Sequence, residues 1–196
     1  MAAKKVDQIE LIKILSGLDK GYFTFADLER VIGLKSQSLK VAISRLVKKG
    51  VLTRIKRGIY QLAFNPVDVK KIANQLYYPS YLSFESALSQ YGILSQIPYV
   101  QTFATPKKSK KIVLWKTEVQ YRQLNSELYW GYTLENGIYL AEPEKAILDQ
   151  LYFVSRGKTT LKINELNLVG IDKEKLRQYA KKFPGYVQPL VNNLIS

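Results

Sequence analysis

The chain has no cysteine and no histidine. These two absences remove disulfides, thiolate chemistry, the usual zinc sites and imidazole acid–base catalysis together. Also missing is any uncharged run of about 18 apolar residues, the length at which a segment reads as a membrane-spanning helix. The first stretch, MAAKKVDQIELIKILSG, carries Asp7, Glu10 and Lys13 inside its apolar pattern, so it reads as neither a signal peptide nor an anchor. A soluble, cytoplasmic protein with no cofactor is expected. Acidic residues are scarce: 16 face 30 Lys and Arg, for a net charge of +14 and a sequence pI near 9.7. Such a surplus predicts a polyanionic partner, nucleic acid ahead of an anionic membrane surface, and says nothing about fold. It is spread along the chain, with 13 basic and 5 acidic residues in 1–65 and 17 and 11 in 66–196.

What is present is enough apolar residue, 46% of 196, to bury a core. Two domains are expected, at 1–65 and 66–196. The first is organised around Ser36 to Leu62. At 100° per residue, Leu39, Ala42, Ile43, Leu46 and Val47 fall on one side of a helix, with Gln37, Val41, Ser44 and Lys48 opposite and Lys40 and Arg45 on the flanks. Two short strands follow around an Arg57-Gly58 turn, with Arg54, Lys56 and Arg57 at or beside its tip. Upstream, residues 6–18 read as an amphipathic helix on Ile9, Ile12 and Leu15 with Leu11 and Leu18. Thr24 is placed to cap a second helix with Asp27 at its third position, Gly33 to end it, and Ser36 to cap the third. Helix, three-residue turn, basic helix and basic hairpin make the pattern of a winged helix-turn-helix. On that reading Gln37, Ser38 and Ser44 face base edges and Val41 a thymine methyl, while Lys40, Arg45, Lys48, Arg54, Lys56 and Arg57 hold phosphates.

Phe64-Asn65-Pro66 marks the boundary, and a connecting helix is expected within 66–78, with apolar spacing at Val69, Ile72, Ala73 and Leu76. Ser83 is placed to cap a helix carrying Phe84, Ala87, Leu88 and Tyr91 inward and stopped by Gly92. The chain then turns β-branched and aromatic at 99–105, 111–115, 127–133 and 137–140, which predicts a small antiparallel sheet and an α+β class. Lys107, Lys108, Lys110 and Lys111 crowd the loop between the first two strands. Such a run protects a strand from aggregation or forms a second DNA surface, joined by Lys116 and Arg122. AEPEKAILD begins a helix with Pro143 in its first turn and Glu142 and Glu144 at the positive end of its dipole. Glu142, Glu144 and Asp149 as metal ligands of a nuclease would need a matching carboxylate and lysine from a nearby strand, and none is found. Ser155-Arg156-Gly157-Lys158-Thr159 fails as a phosphate loop because the first glycine falls at Tyr152. Residues 161–194 read as helical, broken at Pro184-Gly185.

The order of the winged helix, YLSFESALSQYGILSQIP, TFATPKKSKKI and a strand pair leading into AEPEKAILDQL resembles the AbiEi family, antitoxins of type IV toxin-antitoxin systems in bacteria and their mobile elements. The pieces that carry the resemblance are Ser86-Ala87-Leu88 with Tyr91-Gly92, Thr105-Pro106-Lys107, and Glu142-Pro143-Glu144 with Leu148-Asp149. Family members commonly have Asp where this chain has Glu142. The resemblance implies a repressor of its own promoter that binds repeats in double-stranded DNA, with no catalysis of its own, and a C-terminal domain carrying the antitoxin activity of a phage-abortive-infection system. The functional partner it implies is an AbiEii-like nucleotidyltransferase toxin, opposed without a stable complex. Ser86, Tyr91, Gly92, Pro106, Lys107, Glu142, Pro143, Glu144 and Asp149 are the candidate positions of the antitoxin domain. A stand-alone winged-helix regulator with a sensing C-terminal domain is the alternative.

Overall fold

The computed structural model describes residues 7–18, 20–162 and 165–195, without the Ser36 side chain, and divides them into two compact units, Met1–Ile72 and Ala73–Ser196. The expectations for residue 6, for capping by the Ser36 hydroxyl and for 163–164 lie outside the described residues.

Unit 1 runs α1 (Gln8–Ser16), β1 (Phe23–Thr24), α2 (Phe25–Ile32), α3 (Ser36–Lys48), β2 (Leu52–Lys56) and β3 (Ile59–Leu62). The three strands form an antiparallel sheet in the order β1-β3-β2. One apolar core holds it: Leu11 and Leu15 of α1, Leu28 and Ile32 of α2, Leu39, Ile43 and Leu46 of α3, and Phe23, Leu52 and Leu62 of the sheet. On α1 the inward side is Leu11, Leu15 and part of Ile12; Ile9 and Leu18, expected to join it, are exposed. Ile9 stands in the first turn of a helix only nine residues long, and Leu18 lies past its end.

The start of α2 is a capping box. The Thr24 hydroxyl accepts from the Asp27 amide at 3.1 Å while the Asp27 carboxylate accepts from the Thr24 amide at 2.9 Å. Lys20 donates to the other Asp27 oxygen at 2.8 Å. Partial burial alone would raise the Asp27 pKa, but the bonds from Lys20 and Thr24 outweigh it and hold the carboxyl at about 2.

Unit 2 begins at Ala73, after the boundary expected at 66, and has more strands than the sequence predicts. The helix α4 (Val69–Leu76) crosses the division between the units. After it come β4 (Tyr81–Leu82), α5 (Phe84–Gln90), β5 (Val100–Thr105), β6 (Lys110–Leu114), β7 (Thr117–Gln123), β8 (Tyr132–Glu135), β9 (Ile138–Ala141), α6 (Pro143–Ser155), α7 (Lys173–Ala180) and α8 (Gln188–Ile195). The α+β class holds. The sheet has six strands in the order β6-β7-β5-β4-β9-β8 and is mixed, because β5 pairs with β7, and β4 with β9, in parallel. The strand expected at 127–133 begins only at Tyr132, since Ser126–Leu128 turn as a 3-10 helix. β7 had no counterpart in the sequence expectations.

α6 is the central helix of this unit. Every residue from Glu144 to Phe153 is buried, including Lys145 and Asp149, which form a salt bridge with no exposed surface on either side chain. Asp149 also accepts from the hydroxyls of Tyr81 at 2.9 Å and Ser83 at 2.8 Å, and Lys145 donates to Tyr81 at 2.9 Å. The rings of Tyr81, Trp130 and Phe183 surround the ammonium at 5.1 to 5.4 Å. Burial draws the lysine pKa down and the aspartate pKa up, and their mutual attraction opposes both shifts. The cluster ties α6 to β4 and to the start of α5, so Ser83 holds the position before α5 but spends its hydroxyl on Asp149 instead of on a helix cap.

Two measurements check these arrangements. Both tryptophans, Trp115 and Trp130, lie in unit 2, so intrinsic fluorescence during urea unfolding reports that unit. Lys145→Ala or Asp149→Ala should each cost about 3–5 kcal/mol by stranding a buried charge, while joint replacement with Met and Leu should cost less than either alone. For unit 1, Asp27→Asn should be less stable than wild type by about 1 kcal/mol near neutral pH. Because the folded pKa lies below the ordinary carboxylate value of 3.8, this advantage is complete above that value and is lost as pH falls towards about 2. Thermal melts followed by circular dichroism across that window should show the two proteins converge.

Candidate nucleic-acid interface

The described side chains of α3 divide cleanly by exposure. Leu39, Ile43 and Leu46 are buried and Ala42 and Val47 half-buried, which turns Gln37, Ser38, Lys40, Val41, Ser44, Arg45 and Lys48 to the outside. The helix contains no acid. It ends on Gly50, whose φ of 70° lets the Gly50 amide reach the Val47 carbonyl and the Val51 amide the Leu46 carbonyl, at 3.1 and 2.9 Å. Arg45 and Lys48 fall in the last turn, where cations suit the helix dipole. At the other end Lys35, one residue before the expected cap, occupies the N-cap position and makes no side-chain capping bond. Lys35 and Lys49 bracket the helix and are exposed, and neither was singled out from the sequence. Their position beside the periodic stretch was the available signal.

The hairpin after α3 turns where the sequence predicts, with Gly58 at φ 78°. A bulge between Arg54 and Lys56 breaks the register against β3, so that Arg54 pairs with Tyr60 and Lys56 with Ile59. Ile55 is buried between them while Arg54, Lys56 and Arg57 are exposed. The arrangement offers hydrogen-bonding side chains on the outer line of a helix and long cations on its flanks and on a hairpin tip. It is suited to phosphates and base edges.

The unit 2 candidates fare differently. Lys107, Lys108, Lys110, Lys111 and Lys116 are exposed. Lys107 and Lys110 share the Tyr77 ring at 5.5 and 4.9 Å, and Lys107 also donates to the Tyr78 carbonyl. Lys111 lies 3.9 Å from Glu118. Arg122 does not belong to this surface. It pairs with both oxygens of Glu85, at 3.1 and 2.8 Å, and lies over the rings of Phe84 and Phe153, with 19% of its side chain exposed. Its place in β7 puts it on the side of the sheet that α5 covers.

Several positions of the family motif are engaged internally. Ser86 accepts from the Thr102 amide and donates to the Val100 carbonyl, at 2.9 and 3.2 Å. Tyr91 donates to the Ala141 carbonyl at 2.8 Å, and burial pushes its pKa up. Gly92 follows α5 at φ 69°, Pro106 accepts from Gln123 at 3.4 Å, and Pro143 is the first residue of α6. Glu142 and Glu144 stand at the start of α6 as expected, at the N-cap and in the first turn, and both also reach α7. Glu142 makes no capping bond and accepts from Tyr179 at 2.7 Å; Lys175 lies 3.4 Å from Glu142 and 3.0 Å from Glu144, which also accepts from the Asp172 amide at 3.2 Å. These acids pin α7 to α6. Asp149 belongs to the separate buried cluster with Lys145, and among the described residues no three or more acids gather as a metal-binding group.

No helix among the described residues is long and apolar enough to cross a membrane. Comparison with curated proteins gives no match. A family model described as "Transcriptional regulator, AbiEi antitoxin" matches residues 10–63, which run from α1 to just past β3 and hold the whole of α3 and the hairpin. Over its N-terminal region, therefore, this chain matches the AbiEi antitoxin family of transcriptional regulators.

Proposed function

We propose that the chain is a DNA-binding antitoxin that represses its own operon, with unit 1 acting as a winged helix-turn-helix on repeats in its promoter. The observation that carries this reading is the acid-free outer face of α3, followed at once by a basic hairpin, inside the residues that match a transcriptional-regulator family. In this reading Gln37, Ser38, Val41 and Ser44 enter the major groove. Lys40, Arg45, Lys48 and the wing residues Arg54, Lys56 and Arg57 hold the backbone. Lys107, Lys108, Lys110, Lys111 and Lys116 form a second basic surface for the same polyanion, and Arg122 is left out of it.

The antitoxin half of the proposal follows the family resemblance. Unit 2 opposes a nucleotidyltransferase-type toxin without a lasting complex, and the chain itself performs no catalysis. Of the motif positions, Ser86, Glu144 and Asp149 are buried and serve by shaping unit 2, whereas Lys107 and Gly92 are exposed.

A gel-shift titration of the full chain on DNA upstream of its own gene, at two salt concentrations and against random duplex, tests the repressor reading. Tight binding with a preference over random duplex is expected. Lys48→Ala and Arg54→Ala should each weaken binding to all DNA and reduce the salt slope by about 0.9, one phosphate contact apiece. Gln37→Ala should instead change the preference for the upstream sequence. Unchanged binding in all three would remove this surface from the reading.

A further inference from the structure

Val41 is the one apolar residue on the outer line of α3. With Gln37, Ser44 and Lys48 it makes the sequence i, i+4, i+7, i+11, the side directly opposite Leu39, Ile43 and Leu46. The residue is 40% exposed. A single exposed valine needs no explanation on an ordinary surface. This position is not ordinary in two respects. Valine is a poor helix former at an exposed position where packing does not decide, because branching restricts its side chain against the preceding turn. It also sits between Gln37 and Ser44 on a face that is otherwise polar or basic. At about 1.5 Å per residue, Gln37 to Ser44 covers about 10 Å of helix axis, some three base-pair steps, with Val41 near the middle.

Resting on the DNA-binding reading above, we propose that Val41 is a specificity-determining residue that reads the C5-methyl group of a thymine in the major groove. The methyl is the only apolar feature a base pair presents there, and an aliphatic side chain is its natural complement. Gln37 and Ser44, on either side, supply the hydrogen bonds that fix the register in which the methyl meets the valine. The flanking charges of Lys40 and Arg45 add affinity without distinguishing one base from another.

The test replaces each thymine of the bound duplex in turn by deoxyuridine, which removes that methyl and nothing else. Affinities are measured for the full wild-type chain and for Val41→Ala, with far-UV circular dichroism confirming that the variant is folded; alanine favours the helix. For the wild type, at least one substitution should weaken binding about fourfold, the worth of one buried methyl. Val41→Ala should bind the thymine duplex more weakly by a similar factor and be indifferent to the same substitution. If no deoxyuridine position affects the wild type while specific binding persists, the assignment of Val41 is overturned and the DNA-binding reading stands. An equal loss in wild type and Val41→Ala assigns the methyl contact to another residue and also overturns the proposal. If the wild type shows no preference for the upstream duplex over random DNA, the DNA-binding reading fails and takes this inference with it.

Discussion

The burial of Leu39, Ile43 and Leu46 on one side of α3 is the constraint on which the functional surface of this protein depends. These three side chains are between 0 and 4% exposed and meet residues from α1, α2 and the sheet in a single core. Because a helix is rigid about its axis, fixing one side fixes the other. Gln37, Val41, Ser44 and Lys48 point outward for that reason alone, and the Gly50 turn then sends the chain straight into the hairpin. Loss of packing under α3 would therefore rotate or loosen the outer face before it removed any residue from it.

Unit 1 was legible in the sequence because its signals are local. The Thr24–Asp27 capping box, the glycines ending α2 and opening the hairpin, and the spacing of α3 all act within about four residues, so the sequence contains both partners of each interaction. The differences fall where a neighbour from elsewhere decides. Ile9 and Leu18 have helical spacing, but only the tertiary core determines how far along α1 burial extends.

Unit 2 was less legible for the same reason turned round. The alternation of β7, with Val119 and Tyr121 buried and Glu118, Gln120 and Arg122 between them, is a strand pattern, but its polar half obscured it. Parallel pairing of β5 with β7 and of β4 with β9 joins segments whose partners no local rule identifies. Phe84 is buried as its spacing predicts, but its left-handed φ of 55° in the first turn of α5 has no signal in the sequence. It is held there by the Phe153 ring at 4.9 Å and the Arg122 guanidinium over its face. Asp149 carries no signal of an internal partner in the sequence; burial of α6 on all sides makes it half of an internal ion pair.

That internal pairing also bears on where the positive charge acts. Net charge is a property of the whole chain, but at physiological salt a charge is felt over only about 8 Å, so the local balance around each cation decides what it attracts. In unit 2 the acids at 85, 142, 144 and 149 are taken up by Arg122, Lys175 and Lys145, which removes those cations from any external role. In unit 1 Asp27 engages Lys20, on the loop before β1. None of the cations of α3 or the hairpin is joined to an acid in this way among the described residues, so their share of the +14 surplus stands unopposed at the surface that the buried leucines and isoleucine turn outward. Composition alone identifies an excess of charge; the core under α3 and the ion pairs of α6 together determine which part of that excess a phosphate can meet.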